Sequence, residues 1–311
     1  MTFHSEFPAD DAWPPLPLDA WEPTRATLHR WLQIVGKTRL ALAPMQNHWW
    51  QVVLYLSARG MTTTPMPCGE RTIEVEFDFI DHQLTARTSD GAAASLALMP
   101  RSVADFYVEY RELLRGLGVK PRIWPQPVEI ANALPFPLDR EHAAYDAHAA
   151  RRFWRIIAQT DRVLKEFRGR FLGKCSPVHF WWGSFDLACT RFSGRPAPRH
   201  PGGIPNMSDA VTREAYSHEC ISVGWWPGGG GAPVVEPAFY AYAYPEPAGC
   251  PEATIRPAAA SYHLGQRQWI LPYEAVRLAA NRDAALMEFA QSTYDVAADL
   301  GGWDRAALER R

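Results

Sequence analysis

The same series of short motifs occurs twice along the chain, in the same order. LPLD at residues 16–19 is matched by FPLD at residues 136–139, and each is followed by apolar residues at helical spacing. Next come HWW at residues 48–50 and HFWW at residues 179–182, and each half then ends on an apolar strand, a proline and a helix. Because such internal similarity is typical of repeated structural units, the order predicts two diverged copies of one helix–sheet–helix unit.

The segments between these motifs favour short antiparallel strands, because apolar and polar residues alternate along them. We predict strands at residues 51–57, 72–79, 84–88 and 94–98 in the first half, and at residues 178–192, 220–226, 238–244 and 268–271 in the second. The fold class is therefore α+β, with helices packed on two antiparallel sheets or on one continuous sheet. The predicted units are residues 1–120 and 138–311, joined by a proline-rich linker at residues 121–137.

Helix ends are also predicted by particular residues. Asp19 and Asp139 follow the two LPLD-like motifs and are suited to cap a helix or to face its positive end. The closing helix of the first half is expected at residues 102–116. That of the second half is expected at residues 273–300, with a break near Asn281.

Charge and composition exclude several classes of protein. The chain of 311 residues carries 32 basic and 34 acidic side chains, a net charge of −2, so a surface for nucleic acid is not expected. The five cysteines form no Cys-x-x-Cys pair, and reduced thiols fit them better than a disulfide framework. Residues 1–15 do not resemble a signal peptide, and no apolar run reaches the roughly 18–20 residues that span a bilayer. We expect a cytoplasmic protein that binds neither nucleic acid nor membrane.

The second half is the longer one. His48 and Pro100 are 52 positions apart, whereas the matching His179 and Pro272 are 93 positions apart. The additional residues include a loop at 193–207 and the glycine run at 228–231. The run lacks the Gly-Lys-Ser/Thr ending of a phosphate loop, so a flexible loop is the better interpretation. Long insertions on a rigid sheet often carry function, and we expect the site in this half.

Three motifs of the second half resemble those of a known family. They are HFWWGSFD at residues 179–186, EAYSHE at residues 214–219 and YAYPEP at residues 242–247. They are similar to those of a bacterial family of uncharacterised proteins, catalogued as a domain of unknown function over nearly the whole chain. The resemblance implies that the chain is one unit, and it implies no activity.

Candidate catalytic residues lie within the same motifs. His179, Asp186, His218 and Glu219 combine imidazole and carboxylate groups, which serve either general acid–base catalysis or the binding of a divalent metal. Because neighbours in a strand face opposite ways, His218 and Glu219 diverge unless they lie in a turn, and His179 and Asp186 diverge unless Gly183 forms a bulge. Each of these side chains taken alone also fits a purely structural role.

Candidate binding residues surround them in sequence. Arg191 would hold an anionic group of the substrate, and Tyr240, Tyr242 and Tyr244 share one face of a strand. With Trp181 and Trp226 they would wall a pocket for an aromatic or cationic ligand, or else form a core with satisfied hydroxyl groups. The main hypothesis is thus a small-molecule-binding protein, an enzyme using proton transfer or a metal. The alternative is a non-catalytic interaction or scaffold protein that docks through its aromatic side chains. Burial of these rings around a cavity would favour the first.

Overall fold

A computed structural model describes residues 11–229 and 236–310 of the chain. It contains seven α-helices within that range: α1 (Leu18–Leu42), α2 (Val103–Gly116), α3 (Ala147–Gly169), α4 (Asp209–Ala215), α5 (Tyr273–Arg277), α6 (Arg282–Leu300) and α7 (Arg305–Leu308). Short 3-10 helices lie at Asn47–Trp49 and Phe136–Leu138. Gly230 and Gly231 of the predicted glycine loop lie outside the described residues.

Twelve strands form two antiparallel sheets in the described residues. The first sheet contains β1 (Tyr55–Leu56), β2 (Gly60–Thr62), β3 (Met66–Cys68), β4 (Arg71–Asp78), β5 (Gln83–Thr88) and β6 (Ala93–Ala97). Its order is β1-β2-β4-β5-β6, and β3 also pairs with β4. The second sheet contains β7 (His179–Trp181), β8 (Asp186–Pro196), β9 (His218–Trp226), β10 (Ala238–Tyr244), β11 (Ser261–His263) and β12 (Gln268–Pro272), in the order β11-β12-β10-β9-β8-β7. The α+β class is thereby confirmed.

Within the described residues, one isolated antiparallel bridge joins the two sheets, between Leu54 and Phe180. Both hydrogen bonds of the bridge form: Leu54 N donates to Phe180 O at 2.9 Å, and Phe180 N donates to Leu54 O at 2.8 Å. The bridge brings the chain beside β1 next to strand β7. Residues of the first half therefore lie at the edge of the second sheet.

Helix α1 also connects the two halves. Its Trp31 stacks on Phe106 of α2, with ring centroids 4.6 Å apart, and its Trp21 stacks on Phe153 of α3 at 5.4 Å. Large aromatic rings bury much apolar area per residue, so these contacts are a main part of the core. One hydrophobic core accordingly includes buried side chains from both sheets and all of the longer helices.

Most predicted elements lie where the sequence placed them, with specific exceptions. The strand predicted at residues 238–244 is β10, and the break near Asn281 is real, since Asn281 caps α6 by accepting a hydrogen bond from Ala284 N. The HWW motif does not begin a strand, although HFWW, its match in the second half, begins β7. His48 and Trp49 have φ values of 57° and 62° and lie in a 3-10 turn.

Asp139 does not cap a helix either. It is fully buried and pairs with Arg30 at 2.9 Å, and the cap of α3 is Asp146. Burying an unpaired arginine costs much free energy, so the Asp139 carboxylate pairs with Arg30 and does not cap a helix. The duplication of the units stays a prediction.

Candidate functional site

The two faces of the second sheet have different environments. Cys189 and Arg191 in β8, Val223 in β9 and Phe239 in β10 are buried on the side where α3 and α6 pack. The residues between them in sequence point the other way because side chains alternate along a strand. That other face carries most of the candidate residues predicted from the sequence.

A cavity of about 190 Å³ lies on this face. The sheet contributes side chains from four neighbouring strands, and three segments cover them: the 3-10 turn at Asn47–Trp49, the region of Glu129, and the chain from Ile204 through α4. Its lining includes the polar and aromatic residues His48, Glu129, Trp181, Ser184, Asp186, Thr190, Tyr216, Ser222, Tyr240 and Tyr242. A second pocket, of about 290 Å³, adjoins the cavity and shares six lining residues with it: Glu129, Ser184, Asp186, Tyr216, Tyr240 and Tyr242.

Two carboxyl groups, those of Glu129 and Asp186, line the cavity. Burial, followed by the negative charge of Asp186, raises the pKa of Glu129 to about 8. Burial also raises the pKa of Asp186, against which hydrogen bonds from Ser184 and Tyr240 act in the opposite direction. Two close carboxyl groups with little solvent cannot both ionise easily. The pair therefore holds a proton near neutral pH.

The hydrogen bonds decide which carboxyl group carries that proton. Asp186 accepts from the Ser184 hydroxyl and from the Tyr240 hydroxyl, and both bonds favour the ionised form. The Glu129 side chain has no hydrogen-bond partner among the described residues. Glu129 is therefore the protonated member, and Asp186 is the carboxylate.

The backbone around Glu129 is held in place by α1. Gln33 Nε2 donates to Val128 O at 2.9 Å, and Val128 N donates to Gln33 Oε1 at 2.9 Å. One turn earlier on the same helix face, His29 Nε2 donates to Gly183 O at 2.8 Å. Both bonds are buried, and burial lowers the pKa of His29 to about 3, so the ring stays neutral. One stripe of a helix in the first half thus positions both chain segments that meet at Glu129.

Close approach of two strands positions Tyr240. A Cβ atom at Gly224 would lie 2.4 Å from the Tyr240 hydroxyl oxygen and 2.5 Å from Leu187 O. Glycine is required at this point, because any side chain would displace the ring that reaches Asp186. The Tyr240–Asp186 bond is therefore built into the packing of β8, β9 and β10.

The next tyrosine along β10 pairs with a residue beside α4. The hydroxyl oxygens of Tyr242 and Tyr216 are 2.7 Å apart, and the rings of Tyr240 and Tyr242 stack at 6.0 Å. Burial raises the pKa of both Tyr216 and Tyr242, so both phenols are neutral. Only one of the two protons is used in their mutual bond. The other is available to a ligand.

His48 lines the cavity and is paired with an exposed lysine outside it. His48 Nδ1 donates to Ala215 O at 2.9 Å, so its Nε2 accepts a hydrogen bond from Lys174 Nζ at 2.5 Å. Burial is the main cause that lowers the pKa of His48, and the positive charge of Lys174 adds to it. The imidazole is therefore neutral.

Unusual backbone conformations cluster around this cavity. His48, Trp49 and Glu129 line it and have φ values of 57°, 62° and 61°, and Phe185, at 63°, lies between the lining residues Ser184 and Asp186. Left-handed conformations cost energy in residues other than glycine and often occur at functional sites. The cluster supports a functional role for this cavity.

The structure brings together four of the ten predicted site residues. Trp181, Asp186, Tyr240 and Tyr242 line the cavity. Trp226 lines the adjoining pocket, while the hydroxyl of Tyr244 donates to Pro198 O at 2.9 Å beyond the cavity. His179 and Asp186 share a face because residues 182–185 form a turn, with Trp181 opposite Asp186 in the hairpin.

The predicted histidines lie next to the cavity without lining it. His179 is fully buried among Trp50, Tyr55 and Trp181, neither ring nitrogen has a hydrogen bond, and burial lowers its pKa to about 3. The ring of His218 lies 5.8 Å from that of His48.

Arg191 and Glu219 lie on the opposite face of the sheet. The Arg191 guanidinium lies 3.4 Å from the centroid of the Phe167 ring and 4.3 Å from that of Tyr294. Glu219 pairs with Arg195 at 2.7 Å and accepts from Ser193. Arg191 therefore packs against α3 and α6, whereas Glu219 links β9 to β8 within the sheet. Within the described residues, no three His, Cys, Asp or Glu side chains are placed to hold a metal ion.

Sequence reasoning missed two lining residues with clear chemistry, Glu129 and Tyr216. Glu129 lies in the predicted linker, where it is the only acidic residue between positions 121 and 137. A lone carboxylate in a proline-rich apolar stretch is the signal that would have marked it. Tyr216 lies within the EAYSHE motif, beside the histidine that was chosen instead.

Comparison with family models decides the family. The model of a family of unknown function (DUF5996) matches residues 13–310. The chain belongs to this family. Neither a curated protein nor a solved structure matches it. No helix in the described part of this family member is long and apolar enough to cross a membrane.

Proposed function

We propose that this protein is an enzyme that binds a small molecule in the cavity of the second sheet and acts on it by general acid–base catalysis. The observation that carries the proposal is that the carboxyl groups of Glu129 and Asp186 line one cavity in different surroundings. Asp186 accepts two hydroxyl hydrogen bonds, whereas the Glu129 side chain has no hydrogen-bond partner in the described chain. Surroundings that give two neighbouring carboxyl groups different pKa values are typical of acid–base catalytic sites.

The two groups would have separate roles. Glu129 would donate a proton, since its raised pKa keeps it protonated near neutral pH. Asp186 would accept one, directly or through Tyr240, whose hydroxyl is bonded to it. The free phenol proton of the Tyr216–Tyr242 pair would orient a polar atom of the substrate.

The charge of the cavity limits the substrate. An anionic group bound beside Glu129 would be repelled by the Asp186 carboxylate, so the reacting part of the substrate is neutral or cationic. Trp181, Tyr240 and Tyr242 present ring surfaces, which suits a compact body with apolar faces. Because these rings line a cavity, they favour a ligand site over a flat docking surface. The unpaired cysteines of the described chain are in keeping with a cytoplasmic setting.

The proposal is tested by ligand screening with matched variants. Saturation-transfer NMR would screen small neutral polar compounds and amines against the wild-type protein, and time courses would follow any conversion of the hits. Asp186→Asn should weaken hits at least about tenfold, the effect of losing roughly 1.4 kcal/mol. Glu129→Gln should stop conversion while binding persists. Glu219→Gln is the control, because this carboxylate lies one strand away on the other face. Hits that bind Asp186→Asn and wild type equally would contradict the proposal.

A further inference from the structure

A third pocket adjoins the cavity and shares Trp49, Glu129 and Trp181 with it. It has a volume of about 380 Å³, within the range of small-molecule sites. Four indole rings line it, those of Trp49, Trp124, Trp181 and Trp182. Trp124 is 56% exposed, so the pocket opens to solvent at that ring. We call it the indole groove.

The base of the indole groove carries a buried cation. Lys37 lines the groove and is only 3% exposed. It is the next residue at i,i+4 spacing after His29 and Gln33, so it shares the helix stripe that holds the site backbone. Its amino group lies 5.2 Å from the Trp124 ring centroid and 5.7 Å from that of Trp182. Among the described residues it has no carboxylate partner and no hydrogen bond.

A buried ammonium group without an anion is costly, and lysine is seldom fully buried unless paired. Ring faces stabilise a cation by about 0.5–2 kcal/mol, which only partly replaces its lost hydration. The other ionisable side chains that line the groove are Arg122, which is exposed, and Glu129, which holds a proton near neutral pH. The groove is therefore apolar, aromatic and positively charged.

We infer that the indole groove is a second ligand site, which binds a flat aromatic carboxylate with its anionic group on Lys37 and its rings against the indoles. The carboxylate of the ligand would supply the missing partner of the ammonium group. One charge-assisted hydrogen bond between them is sufficient for this. The site is separate from the acid–base cavity in its chemistry, because it selects an anion and the cavity disfavours one.

The test uses 1-naphthoate and its neutral isostere 1-naphthamide as probes. Binding is measured by calorimetry and by quenching of tryptophan fluorescence on the full-length protein at pH 7. We expect the wild-type protein to bind 1-naphthoate at least tenfold more tightly than 1-naphthamide. Lys37→Met, which keeps the length of the side chain, should remove this preference, and Lys37→Arg should retain most of it. Lys120→Met, at an exposed position outside the groove, should leave it unchanged.

Three results would overturn the inference: no binding of 1-naphthoate at millimolar concentration, equal affinity for acid and amide, or an unchanged preference in Lys37→Met. Tyr242→Phe separates this site from the proposed enzyme cavity. Tyr242 lines the cavity but not the groove, so the variant should bind 1-naphthoate as the wild type does. An intact preference in that variant supports the groove even if no substrate of the cavity is found.

Discussion

Gly183 lies so close to Glu129 that a Cβ atom at position 183 would be 2.1 Å from Glu129 Oε1. The buried position of the carboxyl group thus depends on a missing side chain in the turn between β7 and β8. The carbonyl oxygen of the same glycine accepts the hydrogen bond of His29. Gly183 therefore contacts both Glu129 and helix α1.

Gly183→Ala should therefore displace the Glu129 carboxyl group toward solvent. We expect the pKa of Glu129 to fall from about 8 toward the usual range of a glutamate, because burial is the main cause of its rise. Carbon-13 NMR of protein labelled at glutamate would follow the titration, and the spectrum of Glu129→Gln would assign the signal. Gly169→Ala is the matched control, since its Cβ atom would meet no other atom within 4 Å. A Glu129 titration identical in Gly183→Ala and wild type would refute the packing argument.

Glu129 should also make stability depend on pH. Its folded pKa of about 8 lies above its unfolded value of about 4.3, so its contribution is fully present below the unfolded value. It is lost as the pH rises through about 8. Glu129→Gln lacks this dependence and should gain stability over wild type across that window, by about 1–3 kcal/mol at the upper end. Urea unfolding at several pH values measures the difference. A constant difference between the two proteins from pH 5 to pH 9 would count against the raised pKa.

The pattern of strands was predictable from the sequence because it depends on local alternation. Apolar and polar residues alternate in β4 and β5, and in β10 the alternation of tyrosine with phenylalanine and alanine separates the two faces. The same rule predicts that Asp186 and Arg191 diverge, since they are an odd number of positions apart in one strand. Applied strictly, it would have removed Arg191 from the candidate site.

The segments that cover the cavity could not be predicted from such alternation. His48 takes part through a left-handed turn, and Glu129 through a segment without helix or strand, so neither has a periodic signal. Their positions depend on distant contacts, such as that of Gln33 with Val128, which are 95 positions apart. A single sequence contains no record of such pairs.

His179 should reduce stability in acid. Burial lowers its folded pKa to about 3, below the unfolded value of about 6.5, so its contribution is present above pH 6.5 and is lost as the pH falls below it. His179→Phe removes an imidazole that makes no hydrogen bond in the aromatic surroundings described above. We expect little change at pH 8 and a gain of about 2 kcal/mol at pH 5, measured by urea unfolding. His218→Phe is the control, because that ring is only half-buried. An equal loss of stability at both pH values would indicate a structural role for the imidazole.

Lys37 should reduce the stability of the free protein at neutral pH. Burial lowers its folded pKa to about 8, below the unfolded value of about 10.4, so its charged form is disfavoured in the fold. Wild-type stability should therefore rise as the pH passes from about 8 to 10. Lys37→Met should be more stable than wild type at pH 7, on the order of 1–3 kcal/mol, and the gap should narrow toward pH 10. Thermal and urea unfolding would measure it, with Lys120→Met as the control. Because a residue that lowers stability is typical of a functional site, a gain in Lys37→Met together with the loss of 1-naphthoate binding would show that the ammonium group serves the ligand. A loss of stability at pH 7 would show instead that the two indole contacts make the buried charge favourable on their own.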